Sequence, residues 1–296
     1  MLRPVSALAA ALALFMPLTA RVARAQPVEF TVPPVDQVLD LHGDPAHAQL
    51  VIFLAGNQYM VMPALLDAFR KRYPSVQSVF YETLPPGIVL KQVRSGGLRV
   101  GNLLISAQPD VLLTGPRGMR TLRRIGKVSA WHSYASNSLA ILVHAGNPRD
   151  IRSLRDLGRA NVRVVMPNPK WEGVAEQIEG AYAKAGGEQL VHTIMIAKLA
   201  AGTTILTRIH HRETPLYLLD GRADAGPVWR SEALYQQRIR PLRMVAIPAR
   251  ENVYAQYEAA VASSAPHAAA ARAFVTFMQS PQARAILASY GFSPPR

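Results

Sequence analysis

The sequence predicts an α/β protein of two lobes, each a mostly parallel sheet flanked by helices. Two observations predict it. Uninterrupted apolar runs of strand length, such as residues 50–55, alternate with helical patterns, as strands buried on both faces do. The chain of 296 residues is also longer than a single hydrophobic core supports, so two lobes are the natural division.

Residues 1–25 read as an export signal rather than as fold. Arg3 supplies the positive start, residues 7–16 are apolar, and Ala23-Arg24-Ala25 is a small-x-small cleavage site before Gln26. A membrane anchor needs about 20 uninterrupted apolar residues, and this run breaks at Pro17, Thr19 and Arg21. No stable anchor is expected, and the mature protein is placed in the periplasm. The absence of cysteine removes disulfides, thiolate metal sites and a lipid-anchored form.

Pro33-Pro34 marks residues 26–48 as an extended lead-in. The strand at residues 50–55 leads through Gly56-Asn57-Gln58 into a helix carrying Val61, Leu65, Leu66 and Phe69, with Pro63 in its first turn. Strands are predicted at residues 76–81 and 110–114, and helices at 88–94 and 118–125. An apolar strand at 138–144 leaves this lobe. Beyond it come a short helix at 151–157, a strand at 162–166, a loop at 167–173 and a helix from 174 that Gly186-Gly187 stops. Thr214-Pro215 is a helix start, the threonine capping free N–H groups, and Gly221 ends that helix in a left-handed residue. Residues 224–229 form a buried strand, and another lies near 244–247. From Tyr254 the chain returns to the first lobe, closing with helices at 266–278 and after Ser280-Pro281. Lobe one is thus 49–135 with 248–296, and lobe two is 136–247.

The formal charge is +14. Export argues against nucleic acid as a partner, and the basic residues lack aromatic interleaving. They read as a solvated surface, with steering of small anions as the functional alternative. Enzyme motifs are absent: there is no Gly-x-Ser-x-Gly elbow and no phosphate-cradling Gly-x-x-x-x-Gly-Lys-Ser/Thr loop.

Several residues stand where ligands gather in open α/β sheets. Asn57, Gln58 and Thr83 follow buried strands, either as ligand donors or as caps of the next helix. Lys170 and Trp171 lie on a loop before a helix, able to contact a solute or simply cover a cleft. Trp229 ends a strand, as core or as contact. Arg212 and Thr214 stand at a helix start, where an anion gains roughly 0.3–1 kcal/mol from the dipole. His210 and His211, with Glu213, form the sharpest cluster. They suit a transition metal in type, with Glu82 or Glu172 as further candidates, although adjacent histidines point apart on regular backbone. One histidine, or Arg212, contacting an anion is the competing use, and hydrogen bonding within the loop is a third.

Taken together, Asn137-Ser138-Leu139-Ala140-Ile141-Leu142-Val143, Gly146-Asn147-Pro148, Ser153-Leu154-Arg155-Asp156-Leu157, Gly221-Arg222-Ala223-Asp224-Ala225-Gly226 and the ending with Ser280-Pro281 and Tyr290-Gly291-Phe292 carry a resemblance. The chain resembles the type II periplasmic solute-binding proteins, and among them the molybdate-binding branch. The resemblance implies two lobes on a two-strand hinge, a small anionic solute held without a metal or cofactor, and delivery to an ABC transporter permease by a monomer. Carried across, the binding positions fall on Gly56-Asn57-Gln58, Glu82-Thr83, residues 168–173, Arg212-Glu213-Thr214 and Trp229. The pattern differs here at three places. Asn57-Gln58 stands for a small hydroxyl residue, Glu82-Thr83 for Ser-Gly, and Trp229 for a tyrosine, which exchanges a phenolic donor for an indole N–H. A metal-cation or chelate receptor, or a sensor feeding a signalling partner, is the alternative.

Overall fold

The computed structural model describes residues 28–32 and 38–296. The expected export signal lies outside them, as does part of the lead-in.

The chain begins with β1 (Val28–Phe30), β2 (Leu41–Gly43) and β3 (Leu50–Leu54), then α1 (Met62–Arg72), β4 (Val79–Glu82) and α2 (Pro86–Ser95). A small hairpin of β5 (Leu98–Val100) and β6 (Leu103–Ile105) precedes β7 (Val111–Thr114) and α3 (Pro116–Arg124). The long β8 (His132–His144) follows, then β9 (Val164–Met166), α4 (Val174–His192), α5 (Lys198–Ala200), β10 (Thr204–Leu206) and α6 (Thr214–Leu219). The last elements are β11 (Ala225–Trp229), α7 (Arg230–Ile239), β12 (Leu242–Ala246), β13 (Tyr254–Val261), α8 (Ala268–Met278) and α9 (Pro281–Ser289).

Eleven strands join edge to edge in the order β1-β2-β4-β3-β7-β13-β8-β11-β9-β10, with β12 also on β8. The first part of β8 pairs with β13, and residues 139–144 pair with β11 and β12. One strand therefore runs through both halves of the sheet. The chain crosses back between β12 and β13.

The sheet is mixed rather than mostly parallel. β4, β3 and β7 are parallel neighbours, as are β11, β9 and β10, but β8, β12 and β13 pair antiparallel. The strands that carry the chain between halves must enter beside the parallel sets in the opposite sense.

Both faces are covered, which explains the unbroken apolar runs. Alternate residues of β3 go to opposite cores: Leu50, Ile52 and Leu54 pack with Phe69, Phe274 and Phe277, while Val51 and Phe53 pack with Phe80, Met119 and Leu122. In the second half Leu139, Ile141 and Val143 meet Ile178 and Tyr182, and Ala140 and Leu142 meet Leu218 and Val228. Each such buried side chain contributes about 1.5–3 kcal/mol of transfer free energy.

Gly187, at φ 69, breaks α4 where Gly186-Gly187 predicts a stop, and a second helical stretch runs on to His192. One local expectation changes. Thr214 is the first residue of α6 rather than its cap, and its hydroxyl is buried without a protein partner.

Candidate functional site

Two strand ends of the first half and two loops of the second meet in the interior. After β3, a 3-10 turn over Gly56–Gln58 buries both amide side chains. Asn57 Nδ2 donates to the Tyr257 hydroxyl, and Tyr134 donates to Gln58 Oε1. Gln58 Nε2 is left buried with no protein partner. After β4, Thr83 N donates to Asp40 O at 2.8 Å, which ties the lead-in to the strand end. Glu82 Oε1 accepts from Gln92 Nε2 at 2.8 Å and Oε2 has no partner. Burial pushes the Glu82 carboxyl up to about 8, the Gln92 bond pulls it back in part, and the Asp40 charge adds to the rise.

Opposite these ends stands the loop at 208–214. Glu213 shapes it: its carboxylate accepts from Arg208 N at 2.8 Å, Ile209 N at 3.3 Å and Arg208 Nε at 3.0 Å. That carboxylate is therefore occupied within its own loop. Arg212 is fully buried and reaches across the sheet halves. It ion-pairs with Asp40, and its Nη1 donates to Thr83 Oγ1 at 3.3 Å and to Gly56 O at 3.4 Å. Its guanidinium lies 5.2 Å from the Tyr59 ring. Tyr59 donates to Glu232 Oε1 at 3.1 Å, which also accepts from Gln236 at 2.7 Å. Burial raises the Glu232 carboxyl above its ordinary range.

His210 and His211 do not point apart. His210 is extended and His211 opens a 3-10 turn, so the irregular backbone brings the ring centroids to 4.4 Å. Both Nδ1 atoms face Glu172 Oε1, at 2.8 and 3.1 Å. Glu172 is turned inward because Asn168 O accepts from the amides of Trp171 and Glu172, at 3.1 and 3.0 Å. Glu172, His210 and His211 are all buried, with candidate ligand atoms within 4.8 Å of one another. Glu172 thus takes the place beside the histidines for which Glu213 is the nearer candidate in sequence. Burial and the Arg212 charge push His210 down to about 4, against the pull of Glu172. Burial would raise the Glu172 carboxyl, and the two imidazoles beside it more than reverse this, holding it well below its ordinary range.

Asn57, Gln58, Thr83, His210, His211, Arg212 and Thr214 are all buried in this interior. Trp229, 7% exposed at the end of β11, packs its ring 6.3 Å from that of Tyr257. Lys170 and Trp171 lie outside it: Lys170 is exposed, its Nζ sits 4.9 Å above the Trp171 ring, and that ring is 38% exposed. Four residues of the site carry no ligand signal in sequence. Asp40, Glu232 and Tyr257 reach it from other elements of the chain, and Tyr59 follows Gln58 directly. Only Asp40, an acid between Leu39 and Leu41, shows an odd local pattern.

No helix among the described residues is long and apolar enough to cross a membrane. Comparison with known proteins fits this architecture. The chain is 29% identical over 165 residues to the molybdate-binding protein ModA of Mycobacterium tuberculosis, a match covering 55% of this chain and 56% of that protein. The chain thus spans little more than half the length of the curated relatives it matches. Among solved structures, the sulfate-binding protein SubI from Mycobacterium tuberculosis aligns with a TM-score of 0.69 at 22% identity, covering 83% of this chain and 86% of the other. The periplasmic molybdate-binding protein of Azotobacter vinelandii aligns at 0.66 and 18% identity, over 83% and 100%. These likenesses give the fold, that of the two-lobed periplasmic binding proteins. The family model described as bacterial extracellular solute-binding protein matches residues 50–293. With strand ends of two sheet halves meeting over one buried polar interior and that match running through nearly all of them, the chain belongs to the bacterial extracellular solute-binding proteins, a family of binding proteins rather than enzymes.

Proposed function

We propose that this protein captures a small oxyanion of the molybdate, tungstate or sulfate kind between its two lobes, 49–135 with 248–296 and 136–247. It then delivers the anion to an ABC transporter permease from the periplasm. One observation carries the reading: Gln58 Nε2, Thr214 Oγ1 and the Nε2 atoms of His210 and His211 are buried without protein partners. A buried polar atom left unpaired costs about 1–3 kcal/mol, so a set of them favours a bound acceptor. Micromolar affinity corresponds to about −8 kcal/mol, which requires several donors acting together. The similarity to molybdate- and sulfate-binding proteins supports the same class of solute. Trp229 and Asn57 complete the surroundings; Lys170 and Trp171 stand at the rim and contact the solute only if the loop at 168–173 folds inward on closure.

Arg212 acts as a latch in this reading. Its pairing with Asp40 and Thr83 holds the second half against the first, so capture and closure are one equilibrium. Titration calorimetry on chelator-treated protein should give saturable heat with molybdate, tungstate or sulfate. Silence with all three rejects the oxyanion.

A further inference from the structure

Glu172 is a carboxylate buried to 4% exposure between two histidines. Its Oε1 meets the His211 amide at 3.2 Å, His210 Nδ1 at 2.8 Å and His211 Nδ1 at 3.1 Å. Among the described residues no lysine or arginine pairs with it. A buried carboxylate without a cation is costly, and proteins resolve this with a charged partner or a metal.

His210 adds a second observation. Its Nδ1 lies 2.8 Å from Glu172 Oε1 and 3.3 Å from the Arg212 amide, so the nitrogen a metal would take is aimed at the carboxylate. In the metal-free protein a proton bridges this short contact, and a metal ion would take that proton's place. The ring cannot easily turn aside. Gly56 admits it, and a Cβ there would stand 2.1 Å from His210 Nε2.

A cation bound by both Nδ1 lone pairs and the carboxylate would replace the protons that hold these contacts. The long Arg212 amide contact is the weaker claim on Nδ1 and is given up. Zinc-type ligand distances of about 2.0–2.2 Å imply ligand-to-ligand spacings of about 3.4 Å; the carboxylate lies 2.8 and 3.1 Å from the two Nδ1 atoms and all three ligand atoms lie within 4.8 Å of one another, so the side chains need shift by only about half an ångström to admit the ion. Imidazole and carboxylate together suit metals of borderline softness. Both Nε2 atoms then carry protons, as donors inside the same interior.

We propose that Glu172, His210 and His211 form a binding site for a divalent transition-metal cation of the zinc or nickel kind. Three protein ligands leave a fourth position open. In the receptor reading, on which only this last step rests, an oxygen of the captured anion occupies that position. The protein then takes up anion and metal together.

Zinc and nickel salts are titrated separately, without any anion candidate, into protein made without a histidine tag and stripped by chelator. One saturable site is expected. Glu172→Gln and His211→Gln should each weaken it by at least about 100-fold. X-ray absorption of the zinc-loaded wild type, which needs no variant to fold, should report two imidazoles and one carboxylate. No saturable binding, undiminished binding in both variants, or a different ligand set overturns the site. Molybdate titrated in the presence of chelator reads the receptor proposal by itself, so the two fail separately.

Discussion

Two parts of this molecule bury carboxylates, and they treat them in opposite ways. At the far end of the second half, Asp224 is 7% exposed and fully matched. Its Oδ2 accepts from Arg163 N at 2.7 Å and its Oδ1 from Arg163 Nη2 at 2.9 Å, with Arg149 Nε 3.5 Å away. Burial raises its carboxyl, and these hydrogen bonds and charges more than reverse the rise. Between the sheet halves, Glu172 and Glu82 have no guanidinium partner among the described residues. Glu82 keeps one oxygen without a partner, and Glu172 is held by two imidazoles rather than by a fixed cation. An acid matched by a cation holds a fold together; an acid left unmatched inside a fold marks a place prepared for something else.

The largest expected effect lies on the matched side. Asp224→Ala strips Arg163 of its partner and leaves the Arg163 amide without an acceptor. The arginine side chain is 43% exposed, so water recovers part of the loss. A destabilisation of about 3 kcal/mol is expected in urea unfolding, with solute binding unchanged. A cost under about 1 kcal/mol would mean that the matched acid is ornament and the contrast empty.

Glu82 gives the next effect through pH. The folded state holds its proton up to about pH 8, whereas an unfolded glutamate releases it near 4.5. Folding therefore takes up a proton in that window. Glu82's contribution is fully present below about pH 4.5 and is lost as pH rises toward 8. His210 works in the opposite direction at lower pH. Its folded value near 4 lies below the ordinary 6.5, so stability falls as pH drops from about 6.5 to 4. The Glu82 slope is therefore read between pH 6.5 and 8.5, where it amounts to about 2 kcal/mol. Glu82→Gln should flatten it. An unchanged slope in that variant would show that Glu82 is ionised and matched after all.

The same contrast explains what was legible in sequence. Apolar runs reported β3, β7 and β11 because a strand buried on two faces has no alternative composition. Pro63 in the first turn of α1, Ser280 as the cap of α9 and Gly221 in the left-handed region after α6 followed from local chemistry that needs no distant partner. Gly186-Gly187 followed as well, since left-handed Gly187 breaks α4 there before a second helical stretch begins. The polar residues after buried strands, Asn57, Gln58 and Thr83, were legible for the same local reason. Their partners were not. Arg212 and Asp40 lie 172 positions apart, and Asn57 and Tyr257 lie 200 apart. The inward turn of both histidines depends on an irregular backbone that periodicity does not report.

The smallest effect is the most diagnostic, because it separates metal binding from stability. Glu172→Gln removes a buried carboxylate held by two imidazoles rather than by a lysine or arginine. The glutamine oxygen can still accept from the His211 amide, and its NH2 can donate to His210 Nδ1 once that ring carries its proton on Nε2. Replacing a buried ionic group by a neutral one of similar shape is often neutral or stabilising. Metal-free protein should therefore lose no more than about 1 kcal/mol in urea unfolding at pH 7.5. The same substitution should abolish the zinc-induced rise in melting temperature, since a ligand stabilises only the state that binds it. A loss of more than about 2 kcal/mol would instead put Glu172 beside Asp224, as an acid whose work is to hold the loop at 208–214 in place.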